Sequence, residues 1–356
     1  MKKSMTGAEV GTAAGITAGI AAGITAGIAT AIAGLLAGEY FFHIALDAST
    51  DKSALLKPAP GTEKEEKVPG EERNAPEAVT MLKAQYEERE IVSFDQLRLH
   101  GYLCRQKKPN KKWAVLIHGY DDSGMWFGRE ALAFYQAGFN LLLPDARGHG
   151  KSRGTYVGMG WHDRLDIISW IHWIIENDSQ AEIILYGVSM GAATVMMAAG
   201  ESLPSNVKAA VEDCGYTSAW DVLKYQLKKQ FHLPAFPALT CAGLVNFLKN
   251  RYWLKDADAV KCVSRAKIPI LFIHGTEDRF VPFEMSRTLY DACNSKKEYL
   301  AVEGAAHVKS AMVYGPAYWD KVFRFIGSSS YPIGTILISD VGSVTGGIVG
   351  TGTVTS

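Results

Sequence analysis

GVSMG, at residues 187–191, lies between an apolar run at residues 183–186 and a helical pattern of apolar residues at 192–199. A strand, a G-x-S-x-G turn and a helix in this order place the serine at the tip of a sharp turn, where the flanking glycines keep other side chains away from its hydroxyl. The dipole of the following helix favours negative charge that develops beside it. The stretch therefore predicts that Ser189 is a nucleophile; the alternative interpretation is an ordinary glycine-rich turn.

The sequence on both sides of this turn alternates between strand and helix patterns. Leu97, Leu99 and Leu103 alternate with polar residues, as in a half-buried strand. Short apolar runs follow at residues 113–117, 140–143, 183–186, 207–211, 268–273 and 298–302. Helical patterns separate them, for example at residues 165–175. We expect an α/β fold whose mostly parallel, twisted sheet is covered by helices on both faces and binds ligands at the carboxyl ends of its strands.

A serine hydroxyl is a weak nucleophile unless a base accepts its proton, so a histidine from another part of the chain is required. His307 is the best candidate, because it ends a loop of small residues after the last apolar run and follows the serine in the chain. His274 also follows a strand, but Gly275 and the acidic residues after it indicate a loop that presents Asp278. For His307 the alternative is an ordinary histidine of a surface loop.

The base in turn needs a carboxylate that fixes its tautomer and stabilises the imidazolium. Asp278 is the first candidate, because its loop follows the strand that precedes the strand of the histidine. The neighbouring Glu277, and Asp213 after the run at residues 207–211, remain alternatives. A purely structural acid in this loop is a further alternative.

Two backbone N–H donors are needed for the oxyanion of a tetrahedral intermediate. We expect one from Met190, the residue after the serine, and the other from Tyr120 in the turn that follows residues 113–117. Gly119 would permit the close approach of the turn to a substrate. The alternative is that His118 and Gly119 form only a tight turn.

Five blocks in this order resemble those of bacterial α/β-hydrolases of the serine aminopeptidase-like or dienelactone hydrolase-like superfamily: HGY at 118–120, DARGHGKS at 145–152, GVSMG at 187–191, HGTED at 274–278 and GAAH at 304–307. The resemblance covers residues 90–326. It implies the α/β-hydrolase fold, a triad of Ser189, Asp278 and His307 that cleaves esters or amides, and no metal or organic cofactor. It also implies that residues 145–152 form a structural turn, with no catalytic role for Asp145 or His149.

The sequence departs from this superfamily at two places. Ala305 and Ala306 stand before the histidine, where such enzymes often carry another glycine, which concerns only the fine geometry of the loop. Residues 327–356, rich in Gly, Ser, Thr and Ile, have no counterpart and form a tail of unassigned role.

The N-terminal region predicts a membrane anchor at residues 1–46. No charged residue occurs from Val10 to Gly38, a stretch longer than the roughly 20 residues that cross a bilayer as a helix and longer than the apolar region of a signal peptide. Lys2 and Lys3 precede the stretch, so we expect a single-pass protein of the cell membrane with its hydrolase domain on the extracytoplasmic side. Glycines at every fourth position from 7 to 27 form a stripe on one helix face, and two interpretations remain open: helix pairing through the span, or a low-complexity anchor whose glycines have no role.

Composition excludes other classes of protein. Lys+Arg and Asp+Glu both total 37 in 356 residues, and no basic stripe with aromatic residues indicates a nucleic-acid partner. The five cysteines are scattered without the spacing of a zinc site, and the sequence predicts no metal site. Residues 47–89 are rich in Lys, Glu, Pro and Ala and predict a charged linker that ends in a helix near residues 81–88.

Residues 216–266 predict a small helical cap over the site. Its apolar residues are expected to line a pocket for the acyl or alcohol part of a substrate, or else simply to pack the cap on the core: Phe231, Leu233, Phe236, Leu239, Leu244 and Phe247. The function expected first is a carboxylesterase or lipase-like enzyme that acts on small or lipid-derived esters near the membrane, through an acyl-enzyme intermediate. A peptidase or amidase with the same triad, and a non-catalytic membrane-bound binding module on a hydrolase fold, are the alternatives.

Overall fold

One eight-stranded sheet forms the centre of the molecule. The computed structural model of the chain describes residues 32–52 and 77–327. The strands are β1 Glu87–Val92, β2 Arg98–Cys104, β3 Lys112–Ile117, β4 Asn140–Pro144, β5 Glu182–Val188, β6 Val207–Asp213, β7 Ile270–Gly275 and β8 Lys297–Val302. Their order in the sheet is β1-β2-β4-β3-β5-β6-β7-β8, with β2 antiparallel to both neighbours and every pair from β4 to β8 parallel.

Helices precede, connect and follow the strands. The chain is helical at residues 32–46, here named α1. The others are α2 Glu77–Lys83, α3 Arg129–Gln136, α4 Asp163–Asn177, α5 Met190–Ala199, α6 Ala219–Phe231, α7 Ala238–Asn250, α8 Ala259–Val263, α9 Phe283–Ala292, α10 Ser310–Tyr314 and α11 Pro316–Phe325, with a short 3₁₀ turn at Gly124–Trp126. Helices α6, α7 and α8 lie between β6 and β7, where the sequence predicts the cap.

Two apolar clusters, one on each side of the sheet, make up the core. One includes Trp170 of α4 and Met196 of α5, and the other includes Phe134 of α3 and Phe323 of α11. The inner strands are buried along nearly their whole length, as β4 and β7 show. A strand that is buried on both faces needs a continuous run of apolar residues, and these runs are why the inner strands can be predicted from the sequence. The predicted mostly parallel α/β architecture is confirmed.

The chain before residue 90 takes part in this core. Phe42 and Leu46 of α1 are 3% and 1% exposed, and Leu82 of α2 is 2% exposed. Backbone hydrogen bonds join the end of α1 to residues 155–157, among them one from the N–H of Val157 to the carbonyl of Leu46 at 2.7 Å. Helix α2 and the first half of strand β1 fall within the predicted linker 47–89, which is therefore structured from residue 77 onward.

The predicted membrane span at residues 10–38 lies outside the described residues as far as residue 31, and the tail lies outside them from residue 328. Across residues 32–52 and 77–327, none of the helices has both the length and the apolar character needed to traverse a bilayer. The span itself stays a prediction.

Candidate active site

Ser189 lies on the sharp turn between β5 and α5. Its backbone has φ 56° and ψ −117°, a left-handed conformation that is costly for a residue with a side chain. The glycines on either side leave no room for a Cβ: one on Gly187 would lie 2.3 Å from the carbonyl oxygen of Gly191, and one on Gly191 would lie 1.9 Å from that of Ile117. The tight packing of the turn holds the serine in this conformation at the start of a helix.

His307 contacts the hydroxyl of this serine. Its Nε2 lies 2.9 Å from Oγ of Ser189, and its Nδ1 lies 2.7 Å from Oδ2 of Asp278. The imidazole stands in the loop between β8 and α10, and its side chain is 20% exposed. The ring of Phe280 lies against it, with the two ring centroids 4.9 Å apart. The three side chains expected from the sequence thus form one continuous hydrogen-bonded series.

Asp278 is held as a buried carboxylate. Its Oδ1 accepts hydrogen bonds from the backbone N–H groups of Phe280 and Val281, each at 2.8 Å. Burial alone would raise the pKa of Asp278, but the charge of His307 and the hydrogen bonds from His274 and His307 outweigh it and hold that pKa below its ordinary value. The carboxylate is therefore ionised at neutral pH, as the orientation of an imidazole requires.

The alternative residues lie elsewhere. Asp213 accepts hydrogen bonds from the hydroxyls of Ser310 and Tyr318, at 2.9 and 2.8 Å. Glu277 is exposed and lies 3.7 Å from the guanidinium of Arg279. His274 is fully buried, and its Nε2 donates to the carbonyl of Val281 at 2.9 Å. None of these three side chains forms a hydrogen bond with His307 or Ser189 among the described residues.

The turn after β3 lies beside Ser189. A Cβ built on Gly119 would lie 3.5 Å from Cβ of Ser189 and 4.0 Å from its Oγ. His118 fixes this turn: its Nδ1 is 2.7 Å from the carbonyl of Gly119, and its Nε2 accepts the N–H of Ala146 at 2.9 Å. Burial lowers the pKa of His118 to about 3, so the imidazole is neutral and donates through Nδ1. Met190, whose N–H is expected to be one oxyanion donor, begins α5 directly after the serine.

The hydroxyl of Tyr120, the residue expected to supply the second N–H, donates to the carbonyl of Ala45 at 2.6 Å. Ala45 belongs to α1. The turn beside the serine is therefore tied to the N-terminal helix, a contact that nothing in the sequence indicates.

The block at residues 145–152 supports the site from behind. Asp145 is buried and accepts the N–H groups of Gly124 and Lys151, at 2.8 and 2.9 Å, as a turn-forming carboxylate does. Arg147 is also buried and donates to the carboxylate of Asp166 through two nitrogens, at 2.8 and 2.7 Å. These contacts hold the turn that contains Ala146, which donates to His118.

One group of side chains has the composition of a metal site. Ligand atoms of Cys214, Asp278 and His307 lie within 4.8 Å of one another. Burial raises the pKa of the Cys214 thiol well above its ordinary value, whereas a metal binds the thiolate. Asp278 and His307 are already hydrogen-bonded to each other, so the group is a poor fit for a metal ion.

The predicted pocket residues of the cap separate into three pairs. Phe231 and Leu239 line an apolar cleft between the cap and α1. Leu233 and Phe236 are 40% and 75% exposed. Leu244 and Phe247 are half-buried, and the ring of Phe247 stacks on that of Trp253 at 4.5 Å.

Two side chains next to the triad were not assigned this place from the sequence. Phe280, two residues after Asp278 in the same loop, packs on the imidazole of His307. His274, considered from the sequence only as an alternative base, lies in β7 and places its Nε2 3.2 Å from Oδ2 of Asp278. Their closeness to Asp278 in the sequence could have indicated a place near the site. The sequence does not indicate which residues near Asp278 contact His307.

Two family models match parts of this chain. Residues 108–231 match the family model described as Serine aminopeptidase, S33, and residues 176–309 match the model described as Serine hydrolase (FSH1). The protein YqkD of Bacillus subtilis is 26% identical over 194 residues, which cover 54% of this chain and 64% of YqkD.

Solved structures of two archaeal enzymes share the fold. The Pyrococcus furiosus esterase Pf2001 aligns with a TM-score of 0.55 and 23% identity, over 70% of this chain and 94% of the esterase. The acylaminoacyl peptidase of Pyrococcus horikoshii aligns with a TM-score of 0.53 and 20% identity, over 70% of this chain and 43% of the peptidase. At these identities the likeness concerns the fold, which is that of α/β-hydrolases.

Proposed function

We propose that this chain is a serine hydrolase of the α/β-hydrolase superfamily, and specifically a carboxylesterase in which Ser189, His307 and Asp278 form the catalytic triad; the two family models and the shared fold support the superfamily. The observation that carries the proposal is the series of two hydrogen bonds, 2.9 Å from Ser189 to His307 and 2.7 Å from His307 to Asp278. A base within this distance of a serine hydroxyl, itself oriented by a carboxylate, is the arrangement that activates the hydroxyl.

The reaction would proceed in two acyl-transfer steps. His307 accepts the proton of the Ser189 hydroxyl through Nε2 while the serine oxygen attacks the ester carbonyl. The tetrahedral intermediate expels the alcohol, which takes the proton from His307, and the acyl group remains on the serine. Water then attacks this acyl-enzyme and gives a proton to His307, which returns it to the serine oxygen as the carboxylic acid leaves. Asp278 stays ionised throughout and stabilises the imidazolium.

Backbone N–H groups of Met190 and Tyr120 would stabilise the oxyanion of both intermediates. The position of Met190 at the first turn of α5, and the proximity of Gly119 to the serine side chain, support this assignment. Such donors act on charge that develops in the transition state, so they accelerate the chemical step rather than the binding of substrate.

An ester substrate is placed first in this proposal because the alignment takes in 94% of the esterase Pf2001 but 43% of the acylaminoacyl peptidase. The acylaminoacyl peptidase also shares the fold, and the first family model carries the name of an aminopeptidase, so amide substrates belong in the same assay. Hydrolysis of p-nitroanilides at a rate equal to or above that of the matching p-nitrophenyl esters would replace the esterase with a peptidase or amidase.

The decisive experiment labels the full-length protein with a fluorophosphonate probe and measures hydrolysis of p-nitrophenyl acetate. We expect Ser189→Ala to abolish labelling and to lower kcat by about 10⁶-fold, to the background rate, because no other hydroxyl replaces the nucleophile. Ser205→Ala, at an exposed serine, is the matched control and should leave both signals unchanged. Labelling that persists in Ser189→Ala would contradict the proposal and leave the binding-module alternative.

We further propose that the uncharged stretch at residues 10–38 holds the enzyme at the cell membrane by a single span, which ends before Gly38 because Gly38 packs on Cys241 of α7. Residues 90–326 would lie on the extracytoplasmic side, and the glycine stripe would be available for helix pairing. The uncharged sequence and Lys2 and Lys3 before it support this location. The full chain should stay in membranes washed with alkaline carbonate, and protease added outside the cytoplasmic membrane should digest the hydrolase domain. Release of the chain into the wash would contradict the anchor, and protection from protease would reverse the orientation.

A further inference from the structure

The loop between α6 and α7, residues 232–237, carries exposed apolar side chains. Leu233 and Phe236 in this loop are 40% and 75% exposed. At the start of α1, Ile32 and Leu36 are 53% and 67% exposed. Exposed apolar residues that are scattered singly need no explanation, but a group of them on one surface marks a site for a partner or a membrane.

Helix α7 runs in the same direction as α1, as the contacts between the two helices show. Near the start of α7, Cys241 lies against α1: a Cβ on Gly34 would be 3.2 Å from its Sγ, and one on Gly38 would be 2.6 Å from its Cβ. At the end of α7, the ammonium of Lys249 lies 4.6 Å from the ring centroid of Phe42. The contacts advance toward higher residue numbers on both helices. The start of α7, and the loop before it, therefore lie toward the start of α1.

The other end of the loop also lies on α1. Phe231, the last residue of α6, packs edge to face on Phe41, with 5.4 Å between the ring centroids. Because both flanks of the loop contact α1 between residues 34 and 41, the exposed apolar side chains of the loop and of the first turns of α1 belong to one region of the surface. This region, here named the tip surface, consists of Ile32, Leu35, Leu36, Leu233 and Phe236.

The surroundings of the tip surface are basic. Lys228 and Lys229 stand in the last turn of α6, and no Asp or Glu occurs at residues 222–255. Glu39 of α1 forms an ion pair with Lys249. An apolar surface bordered by lysines is complementary to a bilayer with anionic headgroups, because the apolar side chains enter the acyl boundary while the ammonium groups meet the phosphates.

The chain before α1 indicates what covers the tip surface. Residues 10–31 carry no charge and precede α1 directly, and their number matches the roughly 20 residues that cross a bilayer as a helix. The membrane surface would then fall near residue 32, beside the tip surface. A lipid bilayer is therefore favoured over a protein as the occupant.

We propose that the tip surface inserts into the headgroup region of an anionic bilayer, so that the cap, as well as the N-terminal segment, holds the enzyme on the membrane. The inference rests on the membrane location proposed above and goes beyond it, because a span alone leaves the orientation of the domain free. It does not depend on the esterase function.

Docking of the tip surface would also fix the place of the candidate active site. Helix α6 is bound to the loop of Asp278: Nζ of Lys229 donates to the carbonyl of Arg279 at 2.7 Å, and Nε2 of Gln226 donates to that of Phe280 at 2.6 Å. A cap seated on the bilayer would therefore hold this loop close to the lipid.

The test uses the full-length protein in vesicles of phosphatidylcholine and phosphatidylglycerol, with a nitroxide spin label attached at Phe236→Cys. Collisions of the label with oxygen, which concentrates in the bilayer, are compared with collisions with a water-soluble nickel chelate. We expect the oxygen-to-nickel ratio to be several-fold higher at this position than at Ser205→Cys. Ser205 is a matched control because it is exposed and precedes β6, whereas the cap follows the opposite end of this strand. The unaltered protein, labelled in the same way, gives the contribution of its own cysteines.

Two further changes test the charge. Lys228→Glu, added to Phe236→Cys, should lower the oxygen-to-nickel ratio, and so should vesicles of phosphatidylcholine alone, because each removes an attraction between ammonium and anionic headgroups. An unchanged melting temperature by circular dichroism shows that each variant is folded. An effect of neither change would overturn the anionic bilayer as the partner.

The other outcomes separate docking from anchoring. A label at position 236 that meets the nickel chelate freely, while the chain stays in the vesicles, would overturn the docking and leave the anchor. Protection of the label from both reagents would show that protein covers the tip surface, and would also overturn the proposal. Recovery of the chain outside the vesicles would instead contradict the membrane location itself.

Discussion

The three residues of the candidate triad can be predicted from short motifs, because each motif places its side chain just after the end of a strand. Ser189, Asp278 and His307 each stand after a strand whose apolar run is legible, and parallel strands deliver their carboxyl ends to one edge of the sheet. Contacts between separate loops have no such signal. The packing of Phe280 on His307 depends on the relative heights of two loops, which a local pattern does not record.

Asp278→Asn should lower kcat for p-nitrophenyl acetate by about 10⁴-fold, because an amide at this position can hold the imidazole in the wrong tautomer. The pKa of Asp278 lies below its ordinary value, so the unaltered protein carries the carboxylate from pH 5 to pH 9, and ionisation of Asp278 itself adds no pH dependence to kcat in this range.

Glu277→Gln is the control for this change, since Glu277 is the neighbouring carboxylate and is exposed. Its kcat should stay within about twofold of the original, as is usual for a surface substitution. A larger loss in Glu277→Gln than in Asp278→Asn would reassign the acid of the triad.

Elements differ in how clearly the sequence reveals them. Every end of strands β3 to β8 was predicted within two residues. For β3 to β7 the reason is burial on both faces, which imposes continuous apolar runs. Strand β1 was not predicted: its sequence EEREIV is mostly charged, and its burial pattern is exposed or intermediate at every residue. It is an edge strand that pairs only with β2, and charge on an edge strand discourages pairing with other chains. The same charge made it look like part of a linker.

The helix before β1 shows the limit of composition as a guide. Helix α2 was expected near residues 81–88 and lies at Glu77–Lys83. Only Val79 and Leu82 of its seven residues are buried, too few to give a clear periodic pattern. Its position depends on contact with α3, where a Cβ on Gly128 would lie 3.3 Å from Val79.

At the scale of the whole molecule, the domain extends further toward the N-terminus than the motifs do. The five motif blocks begin at residue 118, and the resemblance begins near residue 90, yet α1, α2 and β1 contribute to the two core clusters or to the sheet. The motifs identify candidate catalytic residues, but they do not identify the helices and strands that support these residues. The packing of α1 on the domain was not predicted for a further reason: its apolar residues continue the stretch that the sequence analysis predicts to be a membrane span.

A fragment of residues 32–327 should therefore fold, and one of residues 90–326 should not fold stably. The shorter fragment cuts β1 and removes Phe42, Leu46 and Leu82, each worth about 1.5–3 kcal/mol when buried. Their sum is a large part of the usual stability of about 5–15 kcal/mol. Thermal unfolding followed by circular dichroism, with p-nitrophenyl acetate hydrolysis alongside, gives the comparison. Equal melting temperatures for the two fragments would show that the N-terminal elements are dispensable.

The hydrogen bond between Tyr120 and the carbonyl of Ala45 has a bearing on how such a protein could be re-engineered. An N-terminal targeting segment and a catalytic domain are commonly treated as independent units that can be exchanged between proteins. In this protein, replacing the chain through residue 46 with a foreign segment would remove α1. The hydroxyl of Tyr120 would lose its acceptor, and the side chains on which residues 41–46 pack would be exposed. A fusion that directs this protein to another compartment should therefore be joined before α1, so that the native helix at residues 32–46 stays attached to the domain.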